Sequence, residues 1–229
     1  MSIATLLCFT AAVFALALGF AAVIRKRKSL ASWLFFFAVG TLAAESILGG
    51  LSLRASEPGD GSIDYLLAAT MAKAFIPGFW LLFSLVFARG NYQQFLSQWR
   101  IALVLAVVVP IGIVVAFPSQ LLTIVQSQDA EERIELLVLV GMGGKALSIV
   151  VLCAAVGVLT NIEKTFKAAV GTTRWRVKFM VIGIGVLFAA RIYSSSQTLL
   201  FPIYNPAMIA VDAAGLLIGC CLMGIGYTR

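Results

Sequence analysis

The chain contains no histidine among its 229 residues. That absence removes the commonest metal ligand, haem ligand and general base together. Charge is scarce as well: 12% of residues are Asp, Glu, Lys or Arg against 61% hydrophobic, and the mean hydropathy is +1.02. A soluble domain of this size carries roughly 25% charged residues, so this chain cannot cover itself against water. Walker-type phosphate loops, a nucleophile elbow, H-E-x-x-H and C-x-x-C are all missing. Cys8, Cys153, Cys220 and Cys221 fall inside apolar stretches with no metal-site spacing and read as small packing residues. No cofactor and no metal is expected.

What the chain has is long apolar runs. In lipid every backbone polar group needs an internal partner, so spanning segments are helices or closed barrels. Near-continuous runs of about 20 residues fit helices, not the alternating strands of a barrel, which are about 10 residues long. The expected fold is all-α: one polytopic domain over 1–229, with about seven spans at 3–24, 30–53, 63–87, 101–117, 134–160, 179–201 and 207–227. The first run resembles a signal peptide, but its apolar stretch is too long and its basic cluster follows it. Pro77 is expected to kink the third span, and Pro110 sits inside the fourth. The segment 118–133 is acidic toward its end and reads as a connection holding a short interfacial turn, and 161–178 reads as the longest basic loop.

The net charge of +7 suggests nucleic acid only until the basic residues are placed. Arg25, Lys26, Arg27, Lys28, Arg89, Arg100, Lys164, Lys167, Arg174, Arg176, Lys178 and Arg229 lie in the first, third and fifth connections and the C-terminal tail. Only Arg54 and Arg133 lie in the second and fourth. The excess of Lys and Arg on cytoplasmic loops puts the N-terminus outside and the C-terminus in the cytoplasm of a bacterial inner membrane. Trp33, Trp99, Trp175 and Tyr227 then fall near the cytoplasmic interface, as belt aromatics should. The partner implied is the lipid bilayer and not nucleic acid.

Five ionisable residues fall within spans: Glu45, Lys73, Lys145, Arg191 and Asp212. Each would cost about 2.5–3.5 kcal/mol or more at the centre of an isolated helix, so they should face inward and find partners. Counted from the connections, Lys73 and Lys145 lie about ten residues in, close to the midplane at 1.5 Å per residue. Arg191 lies near the middle, and Glu45 and Asp212 in the outer half. Ser194, Ser195 and Thr198 follow Arg191 at i+3, i+4 and i+7, giving that helix a polar face. The picture is an outward-opening pocket of Glu45, Lys73, Lys145, Arg191, Ser195 and Asp212, net charge +1, suited to an anionic or polyhydroxyl ligand. Two other readings stand beside it: charge pairs that only fix helix packing, and an ion or proton path.

Gly141, Gly143 and Gly144 form one close-approach surface, and Gly215 with Gly219 a G-x-x-x-G pair, both suited to tight helix packing. The last span holds no lysine, which leaves a retinal Schiff base without a residue in its usual helix. The two halves show no convincing pseudo-repeat, which weighs against a transporter.

The stretch 171–201, GTTRWRVKFMVIGIGVLFAARIYSSSQTLLF, carries a resemblance. With its basic Arg174-Trp175-Arg176-x-Lys178 entry, its Gly183-x-Gly185 helix and its Tyr193-to-Phe201 exit, it resembles the membrane sensor region of PrsK-type histidine kinases. Those kinases are associated with exosortase and PEP-CTERM systems. The resemblance implies a sensory input module, a homodimer in its native context, that feeds cytoplasmic kinase domains. The chain itself, without histidine or an ATP-binding segment and ending at Arg229, is not expected to be an enzyme. The alternative function is a small transporter or channel for an anionic or polar solute, and a third is a membrane scaffold.

Overall fold

The computed structural model describes residues 2–25, 29–55, 61–87, 92–128, 134–169 and 172–228, without the side chains of 124–128, 134–137, 172–176 and 227–228. Lys26, Arg27, Lys28, Arg89, Arg133 and Arg229, and the side chains of Arg174, Trp175, Arg176 and Tyr227, lie outside that description. The order of elements is α1 (Ile3–Arg25), α2 (Leu30–Arg54), α3 (Ser62–Lys73), α4 (Ile76–Val86), α5 (Tyr92–Gln98), α6 (Arg100–Ala116), β1 (Leu122–Gln128), β2 (Ile134–Val140), α7 (Met142–Ala168), α8 (Thr172–Leu200) and α9 (Ala207–Thr228). Six helical segments are long and apolar enough to cross a membrane: α1, α2, α3–α4 taken together, α7, α8 and α9. The α5–α6 pair, bent by 65°, makes up to seven. The fold is therefore an all-α, polytopic membrane bundle. Val13, Phe14, Phe20, Val104, Leu105 and Val156 are exposed on its outside, apolar side chains facing a solvent that is itself apolar.

Small side chains set the helix spacing. Cys8, Ala11, Ala15 and Ala22 are fully buried along one face of α1, which packs on α2 and α9. Ser46 of α2 donates to the Cys8 carbonyl at 2.9 Å across that seam. The α8–α9 pair is closer still: a Cβ on Gly183 would lie 2.7 Å from the Gly219 carbonyl oxygen, and a Cβ on Gly219 2.8 Å from that of Gly183. The G-x-x-x-G surface of the last span thus packs within the bundle. At the centre Trp80 is fully buried, edge-on to Phe35, Phe83 and Phe188, and its indole N–H donates to the Ala38 carbonyl at 3.0 Å. Of the four cysteines, Cys8 and Cys220 are buried packing residues, while Cys153 and Cys221 are exposed on the helix surfaces.

The third span is interrupted at Ala74 and Phe75, where the kink at Pro77 is expected: Pro77 enters the first turn of α4 and has no N–H to return to the carbonyl of Lys73. Two local expectations are corrected. The fifth span begins at Met142 and not at 134: residues 134–140 form β2, antiparallel to β1. Apolar content alone does not separate a buried strand from a helix, and Ile134-x-Leu-Leu-Val-Leu-Val is rich in β-formers. The basic stretch 161–178 is not a long loop, since α7 continues to Ala168 and α8 starts at Thr172.

The hairpin stands on the face where α2, α6 and α8 end and where α7 and α9 begin. An isolated antiparallel bridge ties the α8–α9 connection to it. The Val140 N–H donates to the Pro202 carbonyl and the Tyr204 N–H to the Val138 carbonyl, each at 2.8 Å, around the Leu139–Ile203 bridge. The glycines before and in the first turn of α7 admit the chain leading into the hairpin. A Cβ on Gly144 would lie 2.6 Å from the Leu121 carbonyl oxygen, and one on Gly141 would collide with that of Gln120.

Candidate functional site

Three of the five intramembrane charges meet in one cluster. Arg191 of α8 is buried, with 3% of its side chain exposed, and holds Glu45 of α2 through both ends of its guanidinium, Nη1 to Oε1 and Nη2 to Oε2, each 2.6 Å. The same Nη1 reaches Oδ2 of Asp212 on α9 at 3.3 Å. Ser194, one turn from Arg191, donates to the other Asp212 oxygen at 2.9 Å. One planar fork therefore joins three helices. Guanidinium suits this position because its donors match carboxylates two at a time and its charge persists at any accessible pH. An isolated ion at this depth would be prohibitively costly; a paired and hydrogen-bonded one is tolerated.

The cluster lies at the base of a cavity of about 70 Å³, also lined by Lys73, Thr70, Thr198 and Tyr204. Lys73 is the last residue of α3, at the break created by Pro77, and it has no ion-pair partner within 4 Å among the described residues. On the hairpin side a second cavity of about 410 Å³ adjoins it. Thr198, Tyr204 and Met208 belong to the walls of both. Burial, then the Asp212 and Glu45 carboxylates, hold the Tyr204 phenol above its ordinary ionisation range, so it remains a neutral hydroxyl at the junction.

Two of the expected site residues are not at the cavity. Lys145 is the fourth residue of α7, at the rim of the bundle, because the seven residues counted as helix before it are strand β2. Its absence changes the electrostatics. Glu45 and Asp212 against Lys73 and Arg191 give a cavity of net charge zero if all ionise, not the +1 expected. Ser195 is fully buried but does not line the cavity; its hydroxyl has no hydrogen-bond partner among the described residues. The face of α8 that meets the cavity is instead Arg191, Ser194 and Thr198.

Tyr204 and the hairpin escaped the sequence reading. Both left a trace: Tyr204 sits between Pro202 and Pro206 in a connection too short to leave the surface, and two β-rich stretches flank the polar residues 129–133.

No curated protein matches the chain. Residues 6–226 match the family described as the N-terminal 7TM region of histidine kinase. That match runs over nearly the whole helical bundle and the charge cluster within it, and the chain belongs to this family: it is a multi-pass membrane sensory input module of two-component signalling, not itself catalytic.

Proposed function

We propose that the cavity around Arg191 is the input site of this sensor, and that its occupancy is passed through α8 and α9 to kinase domains in the cytoplasm. The observation that carries the reading is the uneven grip of one guanidinium. Arg191 holds Glu45 on α2 twice at 2.6 Å and Asp212 on α9 once at 3.3 Å, at a cavity adjoined on the hairpin side by a larger one. A ligand that competes for Arg191 or Asp212 would change the tie between α9 and the rest of the bundle. In a family described as the N-terminal region of histidine kinase, the segment after α9 leads toward the kinase domains, so a shift between two packings of α8–α9 would be passed on to them.

The proposed setting is a bacterial inner membrane, with the hairpin side outside and the C-terminus in the cytoplasm, in a dimeric kinase of the PrsK type. Supporting the orientation, Arg25, Arg100, Lys164, Lys167 and Lys178 fall on the face away from the hairpin, against Arg54 and Lys145 on the hairpin face.

The test is Asp212→Asn in a chain that carries this region joined to its kinase domains, reconstituted in vesicles. The side chain keeps its shape and loses its charge, so basal autophosphorylation should change several-fold while the unfolding temperature of the membrane part stays within a few degrees. Unchanged autophosphorylation from a well-folded Asp212→Asn protein would leave the cluster a structural pin and refute the reading.

A further inference from the structure

The two adjoining cavities differ in chemistry as well as size. The inner one, about 70 Å³, is walled by Glu45, Lys73, Arg191, Ser194 and Asp212. Its free volume corresponds to about five water-sized spheres, at roughly 10–15 Å³ each. The outer one, about 410 Å³, is walled mainly by apolar groups: Val140, Phe201, Ile203, Pro206 and Met208. For scale, an apolar cavity of about 150 Å³ accommodates benzene, so the outer chamber has room for an aromatic ring or a short aliphatic chain. Thr198, Tyr204 and Met208 wall both, so the two adjoin at these side chains.

Their order along the bundle is informative. Arg191 lies nine residues before Leu200, the end of α8, or roughly 13 Å deeper at 1.5 Å per residue. The polar chamber is therefore the deep one and the apolar chamber the rim. A lipid in the adjacent leaflet presents its headgroup at the surface and its chains below, the reverse of this arrangement. A water-borne molecule entering polar end first from the hairpin side meets both chambers in the right order.

Both carboxylates are ion-paired with Arg191, and Asp212 also accepts from Ser194, although Glu45 Oε2 accepts no hydrogen bond among the described residues. The Lys73 ammonium, with three donors, has no ion-pair partner within 4 Å among the described residues, so the charge left to be matched is a cation. The four charges sum to zero. Among anions that could sit on Lys73, a monoanionic head would leave one net negative charge in a low-dielectric site and a dianion two, so the smaller charge is favoured. On the reading of this cavity as the input site, we infer that the two chambers form one binding site for a small, water-soluble monocarboxylate. Its carboxylate lies on Lys73, its ring or short chain fills the space between Phe201, Ile203 and Met208, and Tyr204 packs at the junction. Tyr204 is also the residue whose N–H is held by Val138 of the hairpin, so a filled junction bears on the α8–α9 connection.

The experiment is thermal unfolding of the chain in nanodiscs, titrated with phenylacetate, hexanoate and octanoate. Phenethyl alcohol, phenethylamine, hexanol and hexylamine serve as matched probes lacking the acid. The carboxylates should raise the unfolding temperature saturably, and the alcohols and amines should not. Lys73→Gln should weaken the apparent affinity at least tenfold. Ile203→Trp, which fills the outer chamber from an exposed position and leaves the charges intact, should do the same should Lys73→Gln fold poorly. Saturable stabilisation by the amines or alcohols in place of the acids would overturn the monocarboxylate and leave the cavity as an input site. Stabilisation by the acids that both variants retain would show partition into the bilayer and overturn the site itself. No shift with any probe would overturn the inference as well.

Discussion

Replacing Arg191 by Met tests the cluster most directly. The side chain is buried to 3% exposure and supplies every ion pair that Glu45 and Asp212 make among the described residues. Met fills a similar volume without charge, so the cost is chiefly electrostatic: two carboxylates remain in a low-dielectric cavity with Lys73 as the nearest remaining cation on its wall. Breaking a buried pair by removing one partner costs about 3–5 kcal/mol, and replacing every charged member with neutral groups of similar shape is often close to neutral. Arg191→Met alone should therefore lose about 3–5 kcal/mol. Arg191→Met combined with Glu45→Gln and Asp212→Asn should recover at least half of that loss. The assay is equilibrium unfolding in mixed micelles, followed by Trp fluorescence, for the wild type, the three single variants and the triple. The contact geometry predicts a coupling energy between Arg191 and Glu45 larger than that between Arg191 and Asp212, because the first pair has two contacts at 2.6 Å and the second one at 3.3 Å. Additive single effects, or an Arg191→Met protein within 0.5 kcal/mol of the wild type, would refute the account of a cooperative buried triad.

Two further predictions concern packing and the hairpin. Gly183→Ala places a Cβ 2.7 Å from the Gly219 carbonyl oxygen and 2.6 Å from Met223 Cγ and should destabilise by about 1–3 kcal/mol, whereas Gly185→Ala meets nothing within 4 Å and should be neutral or gain up to about 1 kcal/mol. Equal unfolding midpoints for the two variants would contradict the close α8–α9 approach. Leu139→Cys with Ile203→Cys, in a background with the four native cysteines replaced, should form a disulfide on mild oxidation. The flanking bonds, Val140 N–H to Pro202 and Tyr204 N–H to Val138, make this a non-hydrogen-bonded antiparallel pair with Cα atoms roughly 4.5 Å apart, within disulfide reach. Mass spectrometry of a tryptic digest reads the linked peptides, and free thiols at both positions after oxidation would separate the hairpin from the α8–α9 connection.

The errors in reading the sequence share one cause. Hydropathy reports whether a segment is buried in something apolar and says little about its rise per residue. The run from Ile134 looked like the start of a helix, yet seven of its residues rise about 3.3 Å each in β2 and not 1.5 Å. A helical count from Ile134 puts Lys145 near the midplane, whereas it belongs to the first turn of α7. Pro77 carried a visible signal for an interruption, and the interruption came where its missing N–H demands it.

Composition and segment length are enough to identify a membrane protein of about seven apolar segments and to put Glu45, Lys73, Arg191 and Asp212 within them. Those conclusions depend on composition and segment length, which act residue by residue. Which charges meet was a matter for the tertiary structure. Glu45 and Arg191 are 146 positions apart in the chain, and the rotation of each helix that brings them together is set by packing surfaces such as Gly183 against Gly219. The hairpin that extends over the α8–α9 connection was likewise decided in three dimensions, because strand pairing needs a partner edge and no single segment contains its own.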